Sequence, residues 1–165
     1  MADFLHSYPI TASFEGGYSN NPADKGGITY RGLTQKYDPK CPIWEKLKAY
    51  MPLHDGEIIP DLEPDVKQWY KRYYWDAIKG DYIDSQRLAD LIFDFHVTSG
   101  QAIKILQYLL NLTEDGIFGN LTLQAVNNAP DTLFDQYKEA RRQYYLSLNQ
   151  PTFIKGWLKR VDGFN

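Results

Sequence analysis

The stretch Glu15-Gly16-Gly17-Tyr18-Ser19-Asn20-Asn21-Pro22-Ala23-Asp24-Lys25-Gly26-Gly27-Ile28-Thr29-Tyr30-Arg31-Gly32-Leu33-Thr34 decides how the rest of the chain reads. From Tyr18 onward it is turn chemistry: Asn-Asn-Pro, Lys-Gly-Gly and a third glycine at position 32. One β-prone patch, Ile28-Thr29-Tyr30, interrupts it, and together these predict a small hairpin. On its N-terminal side, Phe4, Leu5, Tyr8, Ala12 and Phe14 follow an imperfect helical spacing, so Asp3 to Gly17 reads as a short helix with Pro9 as a disruption. The glycine pair ends that helix, because glycine accepts the left-handed conformation that follows a last turn. Glu15 therefore sits on the last turn of an apolar-faced helix, just before a break.

Outward from this stretch the pattern is helical. Residues 35–60 are punctuated by four prolines and carry one short helical run, Ile43 to Tyr50. Asp61 and Pro64 suit a helix start, with Val66, Trp69, Tyr70, Tyr73 and Tyr74 at 3–4 spacing behind them. Further helices are predicted over Gln86 to Ser99, Gln101 to Leu112, Leu121 to Asn128, Pro130 to Leu148 and Phe153 to Val161. Gln101 to Leu112 is apolar on most sides and reads as the central buried helix. In the long helix, Leu133, Tyr137, Ala140, Tyr144 and Leu148 form the expected inner face. The sum is a mainly α chain, with about seven helices and a small β-hairpin and loop lobe near the N-terminus, in a single domain over 1–165.

Composition narrows the function. The chain has 165 residues, 18 Lys plus Arg against 21 Asp plus Glu, and a formal net charge of −3. That balance argues against a dedicated nucleic-acid binder. With Cys41 as the only cysteine, neither a disulfide framework nor a cysteine-based zinc site is expected, and no His/Asp/Glu cluster has metal spacing. No cofactor is expected. No apolar run reaches the ~18 residues a membrane helix needs, so stable membrane insertion is not expected. Met1 to Phe14 lacks a basic n-region and a continuous apolar run, so the reading is synthesis in the cytoplasm without a standard secretory signal. Thirteen Tyr outnumber the eight Phe and four Trp together, which suits surfaces that are apolar and hydrogen-bonding at once, as flat polar ligands such as sugars require.

Glu15 is the residue around which chemistry can be built. Cleaving a glycosidic bond needs a carboxylic acid to protonate the leaving oxygen, and a second group to position water or stabilise positive charge on the sugar. Apolar neighbours help to keep such an acid protonated, and Phe14 and Tyr18 flank Glu15. Asp24 and Thr29 lie on the glycine-rich loop and are the candidates for the second role. On spacing alone, the alternative stands: Glu15 as a solvated helix-end acid and Asp24 as a turn residue bonding its own backbone.

The run from Glu15 to Thr34 resembles the N-terminal signature of glycoside hydrolase family 108, the lysozyme-like N-acetylmuramidases of phages, prophages and some bacterial secretion systems. The likeness continues in Tyr73-Tyr74-Trp75-Asp76, Phe93-Asp94-Phe95, Asp115-Gly116-Ile117-Phe118-Gly119 and Gly156-Trp157-Leu158. The resemblance implies a lysozyme-like α+β fold, with 1–97 as the catalytic part and 98–165 resembling a peptidoglycan-binding region. It implies cleavage of the β-1,4 bond between N-acetylmuramic acid and N-acetylglucosamine in bacterial peptidoglycan. Glu15 would be the acid, Asp24 would stabilise the oxocarbenium-like charge or help position water, and Thr29 would orient the water. A holin or a secretion system would then carry the enzyme to the wall or periplasm. Lys25 and Tyr30 depart from residues common in relatives, which leaves the preferred glycan open.

Tyr18 and Tyr30, beside Glu15, are expected to stack on sugar faces, and Trp75, Phe93 and His96 are further substrate-binding candidates. Aromatics at helical spacing are more often core, and a histidine beside an apolar helix face is more often structural than a base. Lys138, Arg141, Arg142, Lys155, Lys159 and Arg160 are read as a basic face attracted to an anionic wall. Two further functions compete with hydrolysis: a lytic transglycosylase, which closes the sugar onto itself, and a non-catalytic wall-binding or secretion-accessory protein.

Overall fold

The computed structural model describes residues 1–22 and 26–165. Among the described residues it is mainly helical, with one two-stranded antiparallel sheet, and it divides into two compact units, Tyr8–Tyr73 and Met1–Ser7 with Tyr74–Asn165. The mainly α class and the N-terminal hairpin are as the sequence predicts.

The first helix, α1, spans Phe4–Ser13. Asp3 starts it by accepting the Leu5 N–H through its carboxylate at 2.8 Å. Pro9 sits inside α1 rather than breaking it. The N–H it lacks would have bonded the carbonyl of Leu5, and both Pro9 and Leu5 lie on the exposed side, where water can serve that carbonyl. Beyond Ser13 the helix tightens: the Phe14 and Glu15 N–H groups bond Thr11 O and Ala12 O, each at 3.1 Å.

In the Tyr8–Tyr73 unit, strands β1 (Thr29–Tyr30) and β2 (Leu33–Thr34) pair with Thr29 opposite Thr34 and Tyr30 opposite Leu33. Their two-residue turn is Arg31–Gly32, both at positive φ (50° and 82°), the backbone of a tight hairpin whose twist matches its strands. Tyr30 and Leu33 point into the core and are fully buried. Ser19 adds a bridge on the far edge, exchanging two 2.9 Å hydrogen bonds with Thr29. Helix α2 (Ile43–Leu47) buries Ile43, Trp44 and Leu47 and ends in a 3-10 turn over Lys48–Tyr50. Helix α3 (Glu63–Tyr70) buries Val66 and Tyr70 and runs on into a π-helical turn, Lys71–Trp75. Buried Asp38 joins these pieces: its main-chain carbonyl accepts Trp44 Nε1 at 2.7 Å and its carboxylate Oδ1 accepts Trp69 Nε1 at 2.8 Å.

The other unit contains α4 (Gln86–Thr98), α5 (Ala102–Leu109), α6 (Asn120–Asn128), α7 (Thr132–Ser147) and α8 (Ile154–Asp162). Ser85 caps α4 through the Leu88 N–H. The central helix is α4, not α5: every residue from Leu88 to Phe95 is buried, whereas α5 leaves Lys104 and Tyr108 exposed. Two acids disguise α4 in the sequence. Asp90 is satisfied by Ser7 Oγ at 2.5 Å and Gln86 Nε2 at 2.7 Å. Asp94 is fully buried between Arg141 (2.6 Å) and Arg160 (2.7 Å). Burial would raise the Asp94 carboxyl, but the hydrogen bonds and charges of Arg160 and Arg141 hold it below the ordinary carboxylate range.

That ion pair also rotates α7 away from its predicted face. The buried set is Leu133, Phe134, Tyr137, Arg141 and Tyr145, with Leu148 exposed. The expected basic face shrinks with it. Arg141 and Arg160 both turn inward to Asp94, Arg142 pairs with Asp162 and Glu139, and Lys138 donates to the carbonyl of Phe164.

Candidate functional site

Glu15 follows α1 by one tightened turn, and the hairpin meets it. The Arg31 guanidinium donates to the Glu15 carbonyl at 2.9 Å, and the Tyr70 hydroxyl donates to the Arg31 carbonyl at 2.8 Å. Arg31 is itself held 3.4 Å from Glu63, whose other oxygen accepts the Tyr8 hydroxyl at 2.6 Å. Burial, then the bond to Glu63, drives the Tyr8 phenol far above its ordinary value, so it remains a donor. A chain of contacts from α1 and α3 thus fixes the turn against the main chain of Glu15.

Gly32 completes the arrangement. A Cβ there would stand 2.5 Å from Glu15 Oε2 and 2.6 Å from the Tyr70 hydroxyl. Only glycine lets the turn lie against the carboxylate. Gly17 performs a similar service on the other side, since a Cβ would stand 2.3 Å from the Glu57 carbonyl. That closeness allows Tyr18 N to bond Glu57 O and Gly56 N to bond Tyr18 O, each at 2.8 Å.

The result is a cleft of about 430 Å³ walled by Glu15, Ser19, Thr29, Gly32 and Asp55. A second hollow of about 520 Å³, lined by Asn20, Asn21 and Leu53, shares Tyr18, Ser19 and Asp55 with the first. The two form one polar groove, a shape and chemistry suited to a chain of hydroxyl-rich units.

Glu15 and Thr29 line one cleft, and Tyr18 borders both hollows, but at 7% exposure it is packed into the core and has no open ring face to stack on a sugar. Asp24 lies outside the described residues. Tyr30 is a correction: its ring is fully buried, and its hydroxyl donates to Ile59 O at 3.2 Å and accepts Ile59 N at 2.9 Å, so it joins the core rather than stacking on a sugar. Trp75 and Phe93 are likewise fully buried, with ring centroids 5.5 Å apart. The Trp75 indole donates to Asp81 at 2.7 Å, and a Cβ on Gly80 would meet its ring at 2.2 Å, which leaves no face for a ligand. His96 lies on α4 beside the Tyr74 ring, and burial lowers its pKa, so it is neutral near pH 7. Cys41 is buried, which pushes its thiol up to about 11 and leaves it unreactive.

Asp55 is the wall residue that the sequence reading missed. Its signal was the Asp55-Gly56 dipeptide, a turn former, and Gly56 does adopt φ 82°. The backbone bonds that bring this turn to the cleft are made by its neighbours, Gly56 N to Tyr18 O and Tyr18 N to Glu57 O, and join segments far apart in sequence. Among the described residues, no group of three His, Cys, Asp or Glu side chains is placed to hold a metal ion.

Comparison with known proteins places the chain in a family. A solved structure described as that of Brucella abortus SagA matches with a TM-score of 0.72 and 26% identity, covering 98% of this chain and 90% of that one. No curated protein matches. Residues 101–162 match the model described as a predicted peptidoglycan domain. The two models meet at residues 100 and 101, whereas the compact units divide at Tyr73 and Tyr74. Residues 8–100, which contain the whole groove, match the model described as glycosyl hydrolase 108, and the chain belongs to that family of glycoside hydrolases.

Proposed function

We propose that this glycoside hydrolase cuts peptidoglycan at the β-1,4 bond between N-acetylmuramic acid and N-acetylglucosamine, with Glu15 as the general acid. The observation that carries the reading is the convergence of Glu15 and Thr29 on one groove, with the Gly32 turn against the carboxylate. Glu15 gives its proton to the glycosidic oxygen as the bond to the anomeric carbon breaks. The Thr29 hydroxyl, in the same cleft, accepts a hydrogen bond from the incoming water and aims its oxygen at that carbon; as the water adds, its proton leaves to solvent, and solvent returns a proton to Glu15. Asp24, close to Thr29 in the sequence, supports the positive charge that develops on the ring. The groove floor of Ser19, Asn20 and Asn21 donates to sugar hydroxyls.

The test is digestion of purified peptidoglycan by the wild type and Glu15→Gln, with products identified by mass. Hydrolysis gives reducing ends one water heavier than the 1,6-anhydro ends of a transglycosylase. The variant should stay folded and leave the wall uncut. Clearing by folded Glu15→Gln would remove Glu15 from the mechanism, and a pull-down without cutting by the wild type would make the chain a binding protein.

A further inference from the structure

A second concavity lies wholly within the Tyr74–Asn165 unit and takes no part in the chemistry above. It encloses about 370 Å³ between the start of α4, the end of α6 and the start of α7. Its apolar wall includes Leu88, Val126, Pro130 and Phe134; its charges are Asp84, Arg87 and Asp131. Asn127 builds the rim, accepting the Asp84 N–H at 3.0 Å and donating to the Tyr82 carbonyl at 2.9 Å.

The Arg87 guanidinium lies over the Phe134 ring, 3.9 Å from its centroid. Its ion pair with Asp135 is at 4.0 Å, the outer limit of such contacts. Stacking holds the guanidinium plane while leaving its edge donors for a carboxylate. Asp131 does not cap α7 with its side chain, and Asp84 is exposed, so the fold consumes neither acid. A simple anion would meet two carboxylates here, and a simple cation would meet Arg87. A group carrying both charges on one carbon satisfies all three residues, and an attached methylene chain suits the apolar wall.

We propose that this pocket binds the free amino-acid end of a peptide, an ammonium and a carboxylate on one carbon at the tip of an aliphatic chain. Arg87 takes the carboxylate, and Asp84 and Asp131 take the ammonium. The stem peptides of many peptidoglycans carry such a head on their diamino acid, so this deepens the wall-directed reading above and rests on it. The site would recognise the peptide while the Glu15 groove takes the glycan.

The probe is the tripeptide L-Ala–γ-D-Glu–meso-diaminopimelate, titrated into the full chain and followed by backbone amide shifts. Saturable shifts are expected at residues 83–88 and 126–134. Acetylating the ammonium at the D-centre of the diaminopimelate, amidating the carboxylate on that same carbon, or substituting Arg87→Gln should each weaken binding at least tenfold, whereas acetylating the L-Ala N-terminus should not. Arg87 is half exposed, so the variant should fold; the two peptides blocked at the D-centre, against wild type, carry the test if it does not. Absence of saturable shifts at these amides, or loss of affinity on blocking only one end, overturns the proposal. The glycan reading fails separately: clearing by folded Glu15→Gln would sink that one and leave peptide binding intact.

Discussion

The Gly32 turn offers the sharpest test of how the acid is held. In Gly32→Ala the new Cβ would sit 2.5 Å from Glu15 Oε2, whereas ordinary contact begins near 3.4 Å. The carboxylate must retreat by about 0.9 Å, or the hairpin must lift and break the Tyr70 bond to the Arg31 carbonyl. A displacement of that size at a reacting group costs on the order of 10²-fold in rate, which is about 2.7 kcal/mol of barrier. The positive φ of 82° adds a separate strain of about 1–2 kcal/mol to the folded state. Gly27→Ala separates the two effects, because Gly27 has φ 75° but, among the described residues, no atom within 4 Å of its ideal Cβ. Both variants should melt a few degrees below wild type, at roughly 2–4 °C per kcal/mol for a chain of this size. Only Gly32→Ala should lose clearing of wall suspensions. Equal clearing by wild type and Gly32→Ala would refute the claim that this turn positions the acid.

Three further outcomes follow from the packing. Trp75→Ala should lose about 3–5 kcal/mol of stability, as large buried aromatics do, with KM for wall fragments unchanged where folded protein remains; a raised KM without a lower Tm would restore Trp75 to the substrate. Asp94→Asn at neutral pH should lose about 3–5 kcal/mol by stranding a buried arginine, read by denaturant unfolding. In the wild type the folded Asp94 carboxyl takes its proton less readily than the unfolded one, so its contribution is complete above about pH 4 and fades as pH falls toward the lower folded value. Melting curves from pH 6 to pH 2 should therefore fall more steeply for the wild type than for Asp94→Asn.

The elements that sequence describes well are those whose signals are local. Gly32 and the β-prone patch announce the hairpin, and Pro64 and the apolar spacing announce α3. Glu15 is legible because a helix stop and a glycine pair lie within two residues of it. The errors share another origin. Asp94 and Arg141 stand 47 positions apart, and each alone reads as solvated surface. Only their pairing makes α4 central and turns α7 by one position. Tyr30 misleads for the converse reason. It lies beside the acid in sequence, but the pleat sends alternate residues to opposite faces, so Thr29 reaches the cleft and Tyr30 the core.

The fate of the cations bears on how a chain of net charge −3 meets an anionic polymer. Six Lys and Arg in the last third look like a basic face. Four of them make hydrogen bonds or ion pairs within the fold, which leaves Lys155 and Lys159 exposed on α8. The charges left over are few, and they give little long-range attraction at physiological salt, where screening acts over about 8 Å. Attachment by this unit must then come from contacts made at close range. Arg87 stacked on Phe134, with two carboxylates beside it, is such a contact: its selectivity depends on the geometry of both charges and survives screening that a diffuse basic face would not.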